Sequence, residues 1–165
     1  MAIKNKMFWT PNLSNEDYPD THQYLYVKIW QPTGCRARSI ERGTIIGAFC
    51  DIGAGVDIGE RCLIQSSCLI SNGVTIGEEC FLGPGVIILN DKYMYGHLQA
   101  PVIGDRVHIG GGTIINPGVA IGADVFICSG ALITKDVPAG IRVVPIYEDS
   151  GDGHRHIFIK GRVVW

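Results

Sequence analysis

The residues best equipped for chemistry gather in one stretch, NDKYMYGHLQ, at positions 90–99. His97 is of the residue type that suits the work of a base; a solvated loop histidine is the plainer alternative. Asn90 can orient a partner through its side-chain carbonyl oxygen, but it cannot take up a proton. It can equally cap its own backbone turn. Asp91 can orient a histidine or an amine, or simply be solvated beside Lys92. Further on, His108 directly precedes Ile109, and Gly110, Gly111 and Gly112 follow. Three glycines leave bare backbone that a ligand can approach closely, or they serve turn geometry alone.

These residues need a frame, and the frame is a repeat. An aliphatic residue recurs every six positions: Ile40, Ile46, Ile52, Ile58, Ile64, Ile70, Ile76, Leu82, Ile88. After a break it resumes at Ile103, Ile109, Ile115, Ile121, Ile127 and Ile133. The residue two before each is small or β-branched from Thr44 onward, Pro101 excepted. Positions two apart on a strand face the same side. Each hexad therefore sends one large and one small side chain inward, and the glycine after the aliphatic residue is expected to let the chain turn a corner. Three hexads make one triangular coil of 18 residues, and stacked coils share one continuous core. The reading is all-β: a parallel β-helix of about five coils over residues 40–140. Residues 1–39 form an amino-terminal cap or extension, and residues 141–165 a strand–turn–strand extension. Within residues 1–39, the segment HQYLYVKIW has strand composition and suits a cap for the first coil.

The break between Ile88 and Ile103 spans 15 residues, one hexad plus nine extra. Residues 90–99 must therefore leave a corner as a loop, and loops on rigid scaffolds are where function tends to lie. His108 precedes an inward isoleucine and so points outward.

Composition narrows the classes. Fourteen Lys+Arg against sixteen Asp+Glu argue against a nucleic-acid or anionic-membrane surface. No apolar run reaches membrane-span length, and the start lacks a signal-peptide core, so a cytoplasmic protein is expected. There are six cysteines but no Cys-x-x-Cys. Cys50, Cys62, Cys68 and Cys80 occupy the small inward position, which makes them core filling rather than ligands or bridges. A serine at Cys62 is expected to destabilise the fold, because the sequence offers its buried hydroxyl no partner.

Two segments look familiar. GGGTIINPGVAIGADVFICSGALITKDVPAG, residues 110–140, resembles the left-handed β-helix acyltransferases, in particular the sugar and maltose/galactoside acetyltransferases. FLGPGVIILNDKY followed by PVIGDRVHIGGG resembles the N-acetyltransferases of nucleotide-linked amino sugars. The resemblance covers roughly residues 40–140. It implies a left-handed β-helix, a homotrimer with active sites between neighbouring chains, and acetyl-CoA as acyl donor. It further implies that a corner loop closes over the acceptor. In the amino-sugar branch an asparagine stands at the point matched by Asn90, where other members use a loop histidine. The resemblance also implies cofactor contacts from backbone around Ser129-Gly130 and Thr134-Lys135, with Lys135 near a CoA phosphate. Gly110, Gly111 and Gly112 would admit the pantetheine arm. The chain departs from the family after TKDVP: Pro145 remains, but no Gly-Asn-Pro-Ala type motif follows.

The function this implies is acetyl transfer to an amino group of a sugar, with a nucleotide-linked sugar expected. Asn90, His97 and Asp91 are the candidate catalytic residues, and no metal is expected. The alternatives are O-acetylation of a sugar hydroxyl with His97 as base, and a non-catalytic trimeric scaffold. A γ-type carbonic anhydrase on the same fold needs three zinc histidines, and the repeat supplies only His108 beside the loop's His97.

Overall fold

The computed structural model describes residues 27–93 and 96–144, together with backbone strands at Glu148–Asp149, Arg155–His156 and Arg162–Val164. The segment of residues 22–26, assigned strand character from its composition, lies outside the described residues.

Every hexad yields a two-residue strand that contains the inward aliphatic residue, such as Asp51–Ile52 or Leu63–Ile64. These strands stack into three sheets of eight, six and five members. Within the repeat each strand pairs in parallel with its counterpart one coil on, eighteen residues away as for Ile45 with Leu63 and Asp51 with Leu69, and twenty-seven across the insertion as for Phe81 with His108. The chain is a left-handed parallel β-helix of about six turns, one more than the sequence led us to expect. The first sheet carries Ile46, Ile64, Leu82, Ile109 and Ile127 inward; the second carries Ile52, Ile70, Ile88, Ile115 and Ile133; the third carries Ile58, Ile76, Ile103 and Ile121. All are buried in one continuous cluster.

The extra coil comes from the segment before Ile40. Lys28–Ile29, Gly34–Cys35 and Ser39–Ile40 are its three strands. Lys28 pairs with Ile45, seventeen residues on, and Gly34 pairs with Asp51, also seventeen on; Ser39 pairs with Asp57, eighteen on. One residue is missing between Cys35 and Ile40. A one-residue slip exchanges the faces of a strand. Ile29 and Cys35 therefore turn inward, while Lys28 and Gly34 stand at the hexad positions counted back from Ile40. At the other end Arg142–Val144 continues the first sheet in parallel and also pairs antiparallel with Arg162–Val164.

The glycine after each aliphatic residue has a different role from the one expected. Positive φ falls two residues later, at Phe49 (61°), Arg61 (55°), Ser67 (64°) and Glu79 (56°), as well as at several glycines. The first glycine is required by close stacking. A Cβ on Gly47 would lie 2.5 Å from the Ser66 backbone nitrogen, and one on Gly83 would lie 2.5 Å from that of Gly111. Adjacent coils are too near there for any side chain. The left-handed positions along one edge carry Arg61, Glu79, Arg106 and Asp124. Arg61 meets Glu79 at 2.9 Å and Arg106 meets Asp124 at 2.7 Å, so opposite charges face each other where coils are in register. The Arg106 guanidinium holds the Asp124 carboxyl below its usual range. These pairs are solvent-exposed and contribute little stability each.

The thiols of Cys50, Cys62, Cys68 and Cys80 face inward, and none of the six cysteines is bridged. Contact with the Cys50 thiol, then burial, pushes Cys68 upward; Cys62 and burial do the same for Cys80. Each thiol lies against a carbonyl of the coil above: Cys62 Sγ is 3.0 Å from the Gly77 oxygen, and Cys80 Sγ is 3.1 Å from that of Gly104. Thr44 donates in the same way to the Gly59 oxygen at 2.8 Å, and Thr113 to that of Cys128 at 3.1 Å. A hydroxyl at Cys62 would therefore have a partner, which corrects the expectation for serine there. Cys62→Thr is predicted to hold stability within about 1 kcal/mol of wild type, whereas Cys62→Ala loses about 1–2 kcal/mol. Urea unfolding midpoints check this, and the reverse order would contradict the inter-coil bond.

Candidate functional site

The nine-residue insertion leaves the fourth coil between the second and third sheets, after Ile87–Ile88 and before Val102–Ile103. Its base is a hairpin. The Gln99 backbone N–H donates to the Asn90 carbonyl at 2.7 Å, and Asp91 bridges Leu98 antiparallel. The Asp91 carboxylate accepts from the Tyr93 N–H at 3.1 Å and from the Gly96 N–H at 3.4 Å. Asp91 thus organises the loop that carries it, as an acidic turn residue does. His97 is exposed, as are Tyr93 and Leu98. Lys92 Nζ sits 5.5 Å from the centre of the Tyr93 ring.

The Asn90 side chain is fixed. Its Nδ2 donates to the Asn72 carbonyl one coil below, at 2.8 Å. A carbonyl can only accept, so the amide nitrogen must be the atom turned toward it. Oδ1 and the second N–H of Nδ2 are then left without a partner among the described residues. Thr134 and Lys135 are exposed on the same edge of the helix. They lie two coils further up, a rise of about 10 Å at ~4.8 Å per coil.

Gly110, Gly111, Gly112, Ser129 and Gly130 lie on a different edge, between the first and second sheets. Gly110 is a stacking residue, since a Cβ there would collide with the Ser129 backbone. The N–H groups of Gly112 and Gly130 are spent on the coils below, on Pro84 and Gly111 carbonyls at 2.9 Å each. A ligand at this edge therefore has the Gly111 and Ser129 N–H groups to bond, which the sequence alone did not distinguish from their neighbours. His108 points outward beside this edge. Its ring stacks on Phe81 at 6.0 Å, with Phe126 paired above it and the Arg142 guanidinium 4.6 Å from the Phe126 ring. Within one chain the loop and the glycine edge are separated by the second sheet. From the third coil upward that sheet's outward row is apolar: Leu69, Ile87, Ile114 and Leu132, the last 52 % exposed.

Among the described residues no group of three or more His, Cys, Asp or Glu side chains could hold a metal ion, and no helix is long and apolar enough to cross a membrane.

The family described as bacterial transferase hexapeptide (six repeats) matches residues 39–72, 58–90 and 100–135. Comparison with curated proteins gives no match. Among solved structures, the GDP-perosamine N-acetyl transferase of Caulobacter crescentus, as a variant in complex with CoA and GDP-perosamine, superposes with a TM-score of 0.68 at 21 % identity. The match covers 86 % of this chain and 58 % of that one. The acetyltransferase domain of PglB from Neisseria gonorrhoeae, in complex with acetyl coenzyme A, gives 0.65 at 20 % identity over 73 % and 55 %. A galactoside acetyltransferase in complex with coenzyme A gives 0.56 at 24 % identity over 81 % and 63 %. The chain thus spans less than two thirds of each of these relatives, and what they share with it is the fold.

The two kinds of glycine make a prediction. Gly112→Ala places a side chain in open space at φ 68° and should cost only about 1–2 kcal/mol. Gly110→Ala must push two coils apart and should cost more. Thermal melting of the two variants checks this; equal losses would contradict the stacking role of Gly110.

Proposed function

Because the chain belongs to the bacterial transferase hexapeptide family, we propose that it transfers an acetyl group from acetyl-CoA to an amino group of a nucleotide-linked sugar. The observation that carries this reading is Asn90, pinned by its amide nitrogen to the Asn72 carbonyl on a loop beside the rigid stack. Its Oδ1 is an acceptor and suits an N–H donor. Asn90 Oδ1 orients the amine, whose nitrogen attacks the thioester carbonyl carbon. The carbon–sulfur bond breaks, and the leaving thiolate takes the proton that the amine nitrogen sheds. No protein base is needed for an amine that binds deprotonated. The Gly111 and Ser129 N–H groups suit the pantetheine amides or the developing oxyanion, and Lys135 suits a CoA phosphate as a point charge.

The loop and the glycine edge lie on different edges of one chain, so the proposal includes a homotrimer in which one chain's loop meets a neighbour's glycine edge. The apolar outward residues Leu69, Ile87, Ile114 and Leu132 of the second sheet support such a contact. Six unpaired cysteines suit a reducing compartment, and we take the enzyme to be cytoplasmic.

Release of the CoA thiol on mixing the protein with acetyl-CoA and a nucleotide-linked amino sugar tests the proposal. Asn90→Ala is expected to lower the rate about 100-fold, in line with lost orientation, with the assembly intact by gel filtration. An unchanged rate would contradict the assignment. Acetylation of a sugar hydroxyl that is lost in His97→Ala would instead establish His97 as a base. CoA at a hundred times its Kd should stabilise the fold by about 2.7 kcal/mol; no thermal shift would point to a scaffold.

A further inference from the structure

The insertion divides one corner of the helix between two feet. In the coil below, two adjacent corner residues meet the coils on both sides: the Gly73 N–H donates down to the Ala54 carbonyl at 2.9 Å, and the Asn72 carbonyl accepts from Asn90 above at 2.8 Å. In the fourth coil Asn90 makes the downward contact and Gln99 the upward one. The Gly118 N–H donates to the Gln99 carbonyl at 2.6 Å, while the Gln99 N–H donates to the Asn90 carbonyl at 2.7 Å. A hydrogen-bonded chain thus runs Gly118, Gln99, Asn90, Asn72 across three coils. The Gln99 side chain also lies over Gly118. A Cβ there would stand 2.9 Å from Gln99 Oε1 and 3.3 Å from its Cβ. Gly118 has φ 77°, which favours glycine, and the nearest atom of Gln99 that cannot swing aside is its Cβ at 3.3 Å.

We infer that Gln99, seated on Gly118, is a positioning residue: it holds the backbone of Asn90 from above while Asn72 holds its amide from below. The acceptor loop is thereby clamped at its root, and Asn90 presents Oδ1 in one direction. This rests on the acetyl-transfer reading for its kinetic consequence, but the clamp itself does not.

Two variants with matched backbone strain separate the clamp from general stability. Gly55 lies on the same edge with φ 72°, and a Cβ there meets nothing nearer than 3.9 Å. Gly118→Ala should lower kcat/KM for the amino sugar by about tenfold or more, since small misplacements of a positioning group cost that much. The KM for acetyl-CoA should stay unchanged. Gly55→Ala should melt at a similarly lowered temperature yet keep wild-type kinetics. Adding Gln99→Ala to Gly118→Ala should restore part of the loss, because the nearest side-chain atom recedes to 3.3 Å. Amide hydrogen exchange gives the readout that needs no activity: position 118 and Gln99 should exchange faster in Gly118→Ala and not in Gly55→Ala. Kinetics in Gly118→Ala that match Gly55→Ala in an active enzyme would overturn the inference, and so would unchanged exchange. If the wild type transfers no acetyl group, the functional reading fails and the exchange comparison alone decides the clamp.

Discussion

Each coil is hydrogen-bonded in parallel register to the one before it, and that register is the constraint from which the rest of the molecule follows. At a spacing of ~4.8 Å the corner backbones nearly touch, so the residue after the inward isoleucine loses its side chain at Gly47, Gly83 and Gly110. Inside, identical positions stack, so isoleucine meets isoleucine and thiol meets thiol. The inner small position also sets a bond between coils, since Cys62, Thr44 and Thr113 all lie against a carbonyl of the next turn. A side chain in that row must be small enough to fit and is favoured if it can donate.

A stack of this kind is stiff along its axis and offers function only at its edges and outer faces. The chain uses two edges. One is stripped to backbone around Gly111 and Ser129, and the other opens into the residue 90–99 hairpin. The hairpin is held by the same inter-coil bonding that builds the frame, which is how nine extra residues enter without disturbing the sheets: Phe81 still pairs with His108, and Ile87 with Ile114. Asp91 belongs to the internal order of the hairpin, and Asn90 to its attachment. On the proposed acetyl-transfer reading, positioning comes from the scaffold, and the chemistry is left to the Asn90 amide oxygen and the substrates.

Much of this was legible in the sequence because the period is strict. The inward Ile series, the buried cysteines and the loop's exit after Ile88 follow from counting by six. The first coil escaped because one residue is missing between Cys35 and Ile40, which puts Lys28 and Gly34 where aliphatic residues were sought. The corner glycines were visible, but their reason was not: φ is a property of one residue, whereas the close approach at Gly110 involves a residue nineteen positions away. The same limit hid the seat of Gln99 on Gly118 and the difference between Gly111 and Gly112, since both depend on which corner groups the neighbouring turn has already consumed.

A crystal structure of the protein with CoA and a nucleotide-linked amino sugar tests the central claim most directly. The account requires the pantetheine arm along the edge of Gly111 and Ser129, and the sugar nitrogen within hydrogen-bonding distance of Asn90 Oδ1. CoA bound away from that edge, or an amino group turned from Asn90, would contradict it.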